Sequence, residues 1–202
     1  GRAVDEGDAY RLSGRWPWLS GGDNCRWLKG ISVVMEDGKP RLLPSGAPDA
    51  RMMVFPADQA TLIDTWHVAG LNGTGSGDME VRDIRVPKGF SYSLVTDKPR
   101  ETGPLYAFPA FGLLAMGIAA VALGNARAAV TDLVELAGGK KPQGSKRTLA
   151  ERAGAQAQLA QTEAVLRSAR AFYYEAIGDA WHKAQRGDAM AVEDRAALRL
   201  AA

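Results

Sequence analysis

Three short stretches of this 202-residue chain carry residue types that could bind or activate a small molecule. The most conspicuous is Gly70-Leu71-Asn72-Gly73-Thr74-Gly75-Ser76-Gly77-Asp78. Glycine-rich loops cradle phosphates where they open a helix, whose N-terminal amides favour an anion. Here no Gly-Lys-Ser/Thr is present and a strand-like run follows, so neither the P-loop nor the dinucleotide fingerprint fits. On pattern alone the stretch is a wide turn between strands. The second is Trp16-Pro17-Trp18-Leu19-Ser20-Gly21-Gly22. Its indoles either fill the core of a small β-domain or present a flat aromatic and a hydroxyl beside a planar cofactor. Ser20 lacks the nearby histidine or nucleophile elbow of a hydrolase. The third is the basic patch Lys140-Lys141 with Lys146-Arg147, a solvated loop or a phosphate contact. His67 and His182 belong to no ligand-spaced motif, so no metal site is expected. The single cysteine, Cys25, excludes an intrachain disulfide.

Bulk properties narrow the classes further. Hydrophobic residues make up 46% and charged residues 24%, ordinary for a globular chain. A net charge of +2 gives no reason to expect nucleic acid or an anionic membrane as partner. The first residues, Gly1 to Glu6, are polar and acidic without a signal-peptide pattern, so a reducing, cytoplasmic setting is expected. Residues 107–124 are almost wholly apolar, marginal in length for a bilayer, which needs about 20 residues. They run directly into Arg127, Asp132 and Glu135 with no basic flank. The expectation is a helix buried on all sides within a bundle, and no membrane span.

These stretches need elements to hold them, and the composition changes near residue 100. Before it, runs at 9–16, 25–36, 51–56, 60–68 and 77–87 read as strands. Asp37-Gly38 is a turn signal, and a phase slip at Asp83 marks a bulge in the last run. After it, alanine, leucine and arginine recur at helical spacing. Helices are predicted from 108 to about 137, ended by Gly138-Gly139, and from 147 to 186, ended by Gly187. The second carries an apolar face through Leu149, Ala153, Ala160, Leu166, Ala169, Tyr173, Ile177, Trp181 and Ala184. Asp188 would cap a third helix from about 189, still running at Ala202. The fold class is therefore α+β with two domains: an antiparallel β-barrel or sandwich at 1–100, then a partial up-down helical bundle at 101–202. The open third helix, and a start without methionine, lead us to expect that the chain is part of a longer one.

Taken in order, these features resemble the acyl-CoA dehydrogenase family. Gly14-Arg15-Trp16-Pro17-Trp18-Leu19-Ser20 is similar to that family's Gly-x-x-x-Trp-Ile-Thr strand, with Leu for Ile and Ser for Thr. Trp66, Gly70, Gly73, Thr74, Ser76 and Asp78, with Val86-Pro87 after them, match its Trp-x-x-x-Gly-x-Arg-Gly-Thr-x-Ser-x-Asp pattern, Asn72 replacing the arginine. The resemblance covers nearly the whole chain. It implies a middle β-domain followed by a four-helix bundle, a bound flavin (FAD, or reduced FMN), and Trp18, Leu19 and Ser20 lining the flavin ring. Ser20 would offer its hydroxyl and its backbone N–H. The family's Arg-x-x-Phe-Gly clamp on the flavin falls here on Pro142 and Ser145 and is missing in its usual form.

Trp16-Pro17, and Tyr106 to Phe111, look more like the branch of two-component flavin hydroxylases of aromatic compounds. The resemblance thus implies a monooxygenase-like enzyme using reduced flavin and oxygen, with a flavin reductase as partner. The alternative within the family is α,β-dehydrogenation of an acyl-CoA, with an electron-transfer flavoprotein as partner. A non-catalytic assembly or binding module is the reading from a different class. The expected ligand is a small aromatic compound or an acyl-CoA, and the expected assembly a homo-oligomer. No catalytic residue is assigned: Glu151, Glu163 and Glu175 occupy no family base position, the base is expected outside this chain, and the chain by itself is expected to be inactive.

Overall fold

The computed structural model describes residues 1–202. Its first unit, Gly1–Lys98, is built on one mixed sheet. The strands are β1 (Arg2–Asp5), β2 (Ala9–Trp16), β3 (Trp27–Glu36), β4 (Lys39–Pro40), β5 (Ala50–Pro56), β6 (Thr61–Ile63), β7 (Asp78–Pro87) and β8 (Ser91–Tyr92). Their order is β6-β7-β2-β1-β3-β5-β8, with β4 pairing β3. Every pair is antiparallel except β1–β3, which is parallel. The purely antiparallel expectation is corrected by β1, a short strand whose Arg2 and Asp5 hide its pattern. Its Ala3 is fully buried, and it lies between β2 and β3. Period-two alternation places Leu12, Val34, Met53, Phe55, Met79 and Val86 on the inner face.

Trp16 organises that core. Its ring packs 6.2 Å from Phe55, and its indole N–H donates to the Ile31 carbonyl at 2.6 Å. Glycine at position 30 is required by this packing: a Cβ there would lie 2.5 Å from the Trp16 ring. The phase slip at Asp83 is a bulge, as expected. Arg82 and Asp83 both lie opposite Ser13, Asp83 takes φ 56°, and its N–H donates to the Ser13 hydroxyl at 2.9 Å. The expected strand at 60–68 shrinks to β6. Beyond it, Thr65 and Trp66 turn their side chains to Asp78 and to the Leu71 carbonyl instead of continuing the ladder.

The second unit, Pro99–Ala202, holds α1 (Pro104–Ala107), α2 (Ala110–Gly139), α3 (Ala153–Arg186) and α4 (Val192–Leu200). α2 and α3 run antiparallel: Tyr173 donates its hydroxyl to the Met116 carbonyl at 3.0 Å, and Arg127 forks onto Glu163. α3 starts later than predicted because Glu151 accepts the Thr148 N–H and hydroxyl and holds 148–151 as a turn. Gly187 ends α3 in the left-handed conformation, with the Asp188 N–H returning to the Lys183 carbonyl. Asp188 pairs with Arg186 and does not cap α4. The Asp194 carboxylate accepts the Ala191 N–H and does so instead, while also binding Lys183.

The buried stripe of α3 is Leu166, Tyr173, Ala176, Ala180 and Ala184, with Trp181 rotated outward. α2 is not buried on all sides. Met116, Ala119 and Val130 face inward, whereas Leu114 and Ile118 are 60% and 76% exposed, because α3 and α4 cover only one stripe. By length and hydropathy α2 is apolar enough to cross a membrane.

Two stability predictions follow from this packing. Gly30→Ala forces a methyl into the Trp16 ring and should cost ~1–3 kcal/mol, read as a lower urea midpoint at unchanged slope. Glu163 is bound by Arg127 and then Arg167, and its carboxyl is held down at about 2. A depressed folded value stabilises above the unfolded value, and that stability fades as pH falls through the folded one. Glu163→Gln should therefore lower Tm at pH 7, with the gap to the parent chain closing as pH falls from about 4.5 toward about 2.

Candidate functional site

The chain leaves β2 at Trp16 and turns through Pro17, Trp18, Leu19 and Ser20. Trp16 and Trp18 lie two residues apart yet have opposite environments: Trp16 is buried, and Trp18 is 74% exposed. Trp18 takes φ 61°, the left-handed region that a bulky side chain rarely enters. Leu19 falls between them in character. It is half-buried, packs on the edge of the core and closes over Gly22, where a Cβ would lie 2.3 Å from its side chain. Of the three predicted ligand-facing residues, Trp18 and Ser20 are exposed and Leu19 anchors them.

The Gly70–Asp78 stretch is the partner of this turn. The Leu19 N–H donates to the Gly77 carbonyl and the Gly21 N–H to the Thr74 carbonyl, both at 2.8 Å. Leu71 and Gly75 are left-handed and flank a single 3-10 turn at Asn72–Thr74. Gly77 touches the Ile63 backbone so closely that a Cβ would lie 2.6 Å from its carbonyl oxygen. Asp78 closes the loop: Arg15 and then Thr65 bind its carboxylate and hold it below the usual carboxylate range. No helix N-terminus opens from this loop, consistent with a turn and not a phosphate cradle.

A string of hydroxyls joins the two segments. The Ser20 and Ser76 hydroxyl oxygens are 2.7 Å apart, as are those of Ser76 and Thr74. Thr74 Oγ1 donates to the Leu71 carbonyl at 2.9 Å. Ser76, in the middle of the string, is buried, Thr74 is half-buried, and the ends at Ser20 and Leu71 are exposed. Ser76 and Thr74 are functional candidates whose part in the site sequence reading missed, although both stand in the quoted motif. The Ser20 backbone N–H, expected to face a ligand, is instead turned onto the Trp18 carbonyl at 2.9 Å.

Behind the turn lies a cleft of about 500 Å³, lined by Leu19, Asp23, Leu62, Trp66, His67, Asn72 and Asp78. Trp18 and Ser20 stand outside it. Lys140, Lys141, Lys146 and Arg147 belong to the α2–α3 connection of the second unit. Glu163 is held in its arginine pair and Glu151 in its turn, so neither is available as a base.

Comparisons with known proteins agree with this architecture. Residues 116–202 match the model of the acyl-CoA dehydrogenase C-terminal domain. Indole-3-acetate monooxygenase of Pseudomonas putida is 35% identical over 191 residues, covering 95% of this chain and 47% of that protein. The chain thus spans about half the length of this curated relative. Among solved structures, XiaF from Streptomyces, in complex with FADH2 and glycerol, superposes with TM-score 0.83 at 26% identity, covering 98% of this chain and 50% of that one. Butyryl-CoA dehydrogenase of Megasphaera elsdenii shares the fold with TM-score 0.71 at 20% identity, over 99% of this chain and 48% of its own. Residues 116–202 thus belong to the acyl-CoA dehydrogenase C-terminal domain family, and the chain shares the fold of the acyl-CoA dehydrogenases.

Proposed function

We propose that this chain works in a flavin-dependent monooxygenase of aromatic compounds, taking FAD or FMN in reduced form from a separate flavin reductase. The observation that carries this reading is the Trp18–Ser20 turn. A large indole is held in solvent in a backbone conformation that costs about 1–3 kcal/mol, with a hydroxyl two residues on. A flat apolar face next to a hydrogen-bonding group fits a ring system that is itself flat, apolar on its faces and polar along one edge. The 35% identity to an indole-3-acetate monooxygenase over 95% of the chain supports the oxygenase branch.

When bound, reduced flavin supplies the electrons that activate oxygen. The chain's own residues bind and orient. Trp18 offers the stacking surface, and Leu19 fixes the turn through the Gly77 carbonyl and its seat on the core edge. Ser20 places one polar atom at the rim. The substrate class we infer is a small aromatic compound, indole-3-acetate being the one named for the Pseudomonas relative.

With the oxygenase in which this chain works, the test supplies chemically reduced FMN or FAD, air and indole-3-acetate, and reads the gain of one oxygen atom by mass spectrometry. Trp18→Ala should raise the flavin concentration for half-saturation roughly three- to tenfold. Dye-linked oxidation of an acyl-CoA, with no oxygen incorporated, would overturn the reading in favour of a dehydrogenase.

The open apolar stripe of α2 supports a homo-oligomer, since monomers rarely leave such a continuous patch in water. Leu114→Arg with Ile118→Arg should reduce the assembly seen by light scattering, and a monomeric parent chain would contradict this.

A further inference from the structure

We infer that Leu71 is a second apolar contact for the planar aromatic ligand that meets Trp18, so that one ring system touches both the turn after β2 and the Gly70–Asp78 loop. This rests on the flavin reading above and names a further contact residue of that site. Four residues other than glycine take a left-handed backbone: Trp18, Asp37, Leu71 and Asp83. Two of them are explained by type and place. Aspartate tolerates this region, Asp37 stands in the turn between β3 and β4, and Asp83 stands at the bulge in β7. Trp18 and Leu71 have no such reason. Both are large and apolar, at φ 61° and 56°, and both are left in water, 74% and 78% exposed. Glycine would take either conformation without strain. Each side chain is therefore held under strain that burial within its own unit does not offset.

The two residues stand on segments that hold each other. Leu19 and Gly21, close to Trp18 in the chain, donate their N–H groups to the Gly77 and Thr74 carbonyls. The Leu71 carbonyl takes three donors: the Thr74 hydroxyl at 2.9 Å, and the Thr74 N–H and the Trp66 indole N–H at 3.1 Å each. These bonds fix the Leu71 backbone in its left-handed turn and leave its side chain outside the core. Through Ser76 and Thr74, the Ser20 hydroxyl and the Leu71 carbonyl are separated by no more than three hydrogen-bond lengths. A fused aromatic ring system is long enough to touch both loops. The flavin ring and an indole share a flat apolar face, and leucine methyl groups pack on such a face by dispersion. Leu71 contacts the ligand in this scheme and takes no part in proton transfer.

Leu71→Asn tests this in the intact oxygenase. Asparagine is close to leucine in size, tolerates the left-handed backbone and removes the apolar surface. Because Leu71 is exposed, the thermal midpoint should stay the same or rise. The two ligands, reduced FMN and indole-3-acetate, are titrated separately without oxygen. The half-saturating concentration of at least one should rise roughly threefold to tenfold, and whichever rises names the ring that lies on Leu71. Leu71→Met, which keeps the apolar contact, should retain both values. Unchanged binding of both ligands by Leu71→Asn overturns the proposal. So does a lower thermal midpoint alongside weaker binding, which makes Leu71 a structural residue, or a methionine variant as weak as the asparagine one. A parent enzyme that binds neither ligand overturns the flavin reading itself and the proposal with it.

Discussion

The site depends on a tryptophan held in a left-handed backbone conformation. Trp18 adopts φ 61°, a position that most sequences would give to glycine. Such a residue persists only where its surroundings leave it no alternative. On one side Trp16 is locked in the core by Phe55, by the Ile31 carbonyl, and by a slot at Gly30 that admits no side chain. On the other, the Leu19 and Gly21 amides are bound to carbonyls of the Gly70–Asp78 loop. With both neighbours anchored, Trp18 is turned outward. The loop must in turn bring the Gly77 carbonyl to Leu19, and only glycine fits against Ile63 at that point. Within the glycine-rich stretch, so suggestive of phosphate binding, Gly77 is thus explained by backbone closeness and Gly75 by its left-handed φ of 54°.

The helical unit is held by a different means. α3 approaches α2 through alanines, and small side chains let two backbones come near enough for the Tyr173 hydroxyl to reach a main-chain carbonyl on α2. α4 seals the end with Leu198, fully buried against Gly112, where a Cβ would lie 2.8 Å from the leucine methyl. The Lys183–Asp194 and Arg127–Glu163 pairs flank this packing. Such exposed pairs set register more than they add stability. The outer stripe of α2 remains apolar and open, which is why its sequence reads like a core helix while its own unit covers only part of it.

What the residues disclosed and what they hid follows from the range of the interactions. Strands β2, β3, β5 and β7 were legible because period-two alternation is local, and so was the Asp83 bulge. β1 was not, because its burial is produced by neighbours far along the chain and its polar residues break the pattern. The buried face of α3 was partly misread: Trp181 looks like a core residue and alanine carries little hydrophobic signal, yet close helix contact selects Ala176 and Ala180. At the site, Trp18 and Ser20 were visible as a motif. The contact between the Ser20 and Ser76 hydroxyls was not, since it joins residues 56 positions apart along the chain.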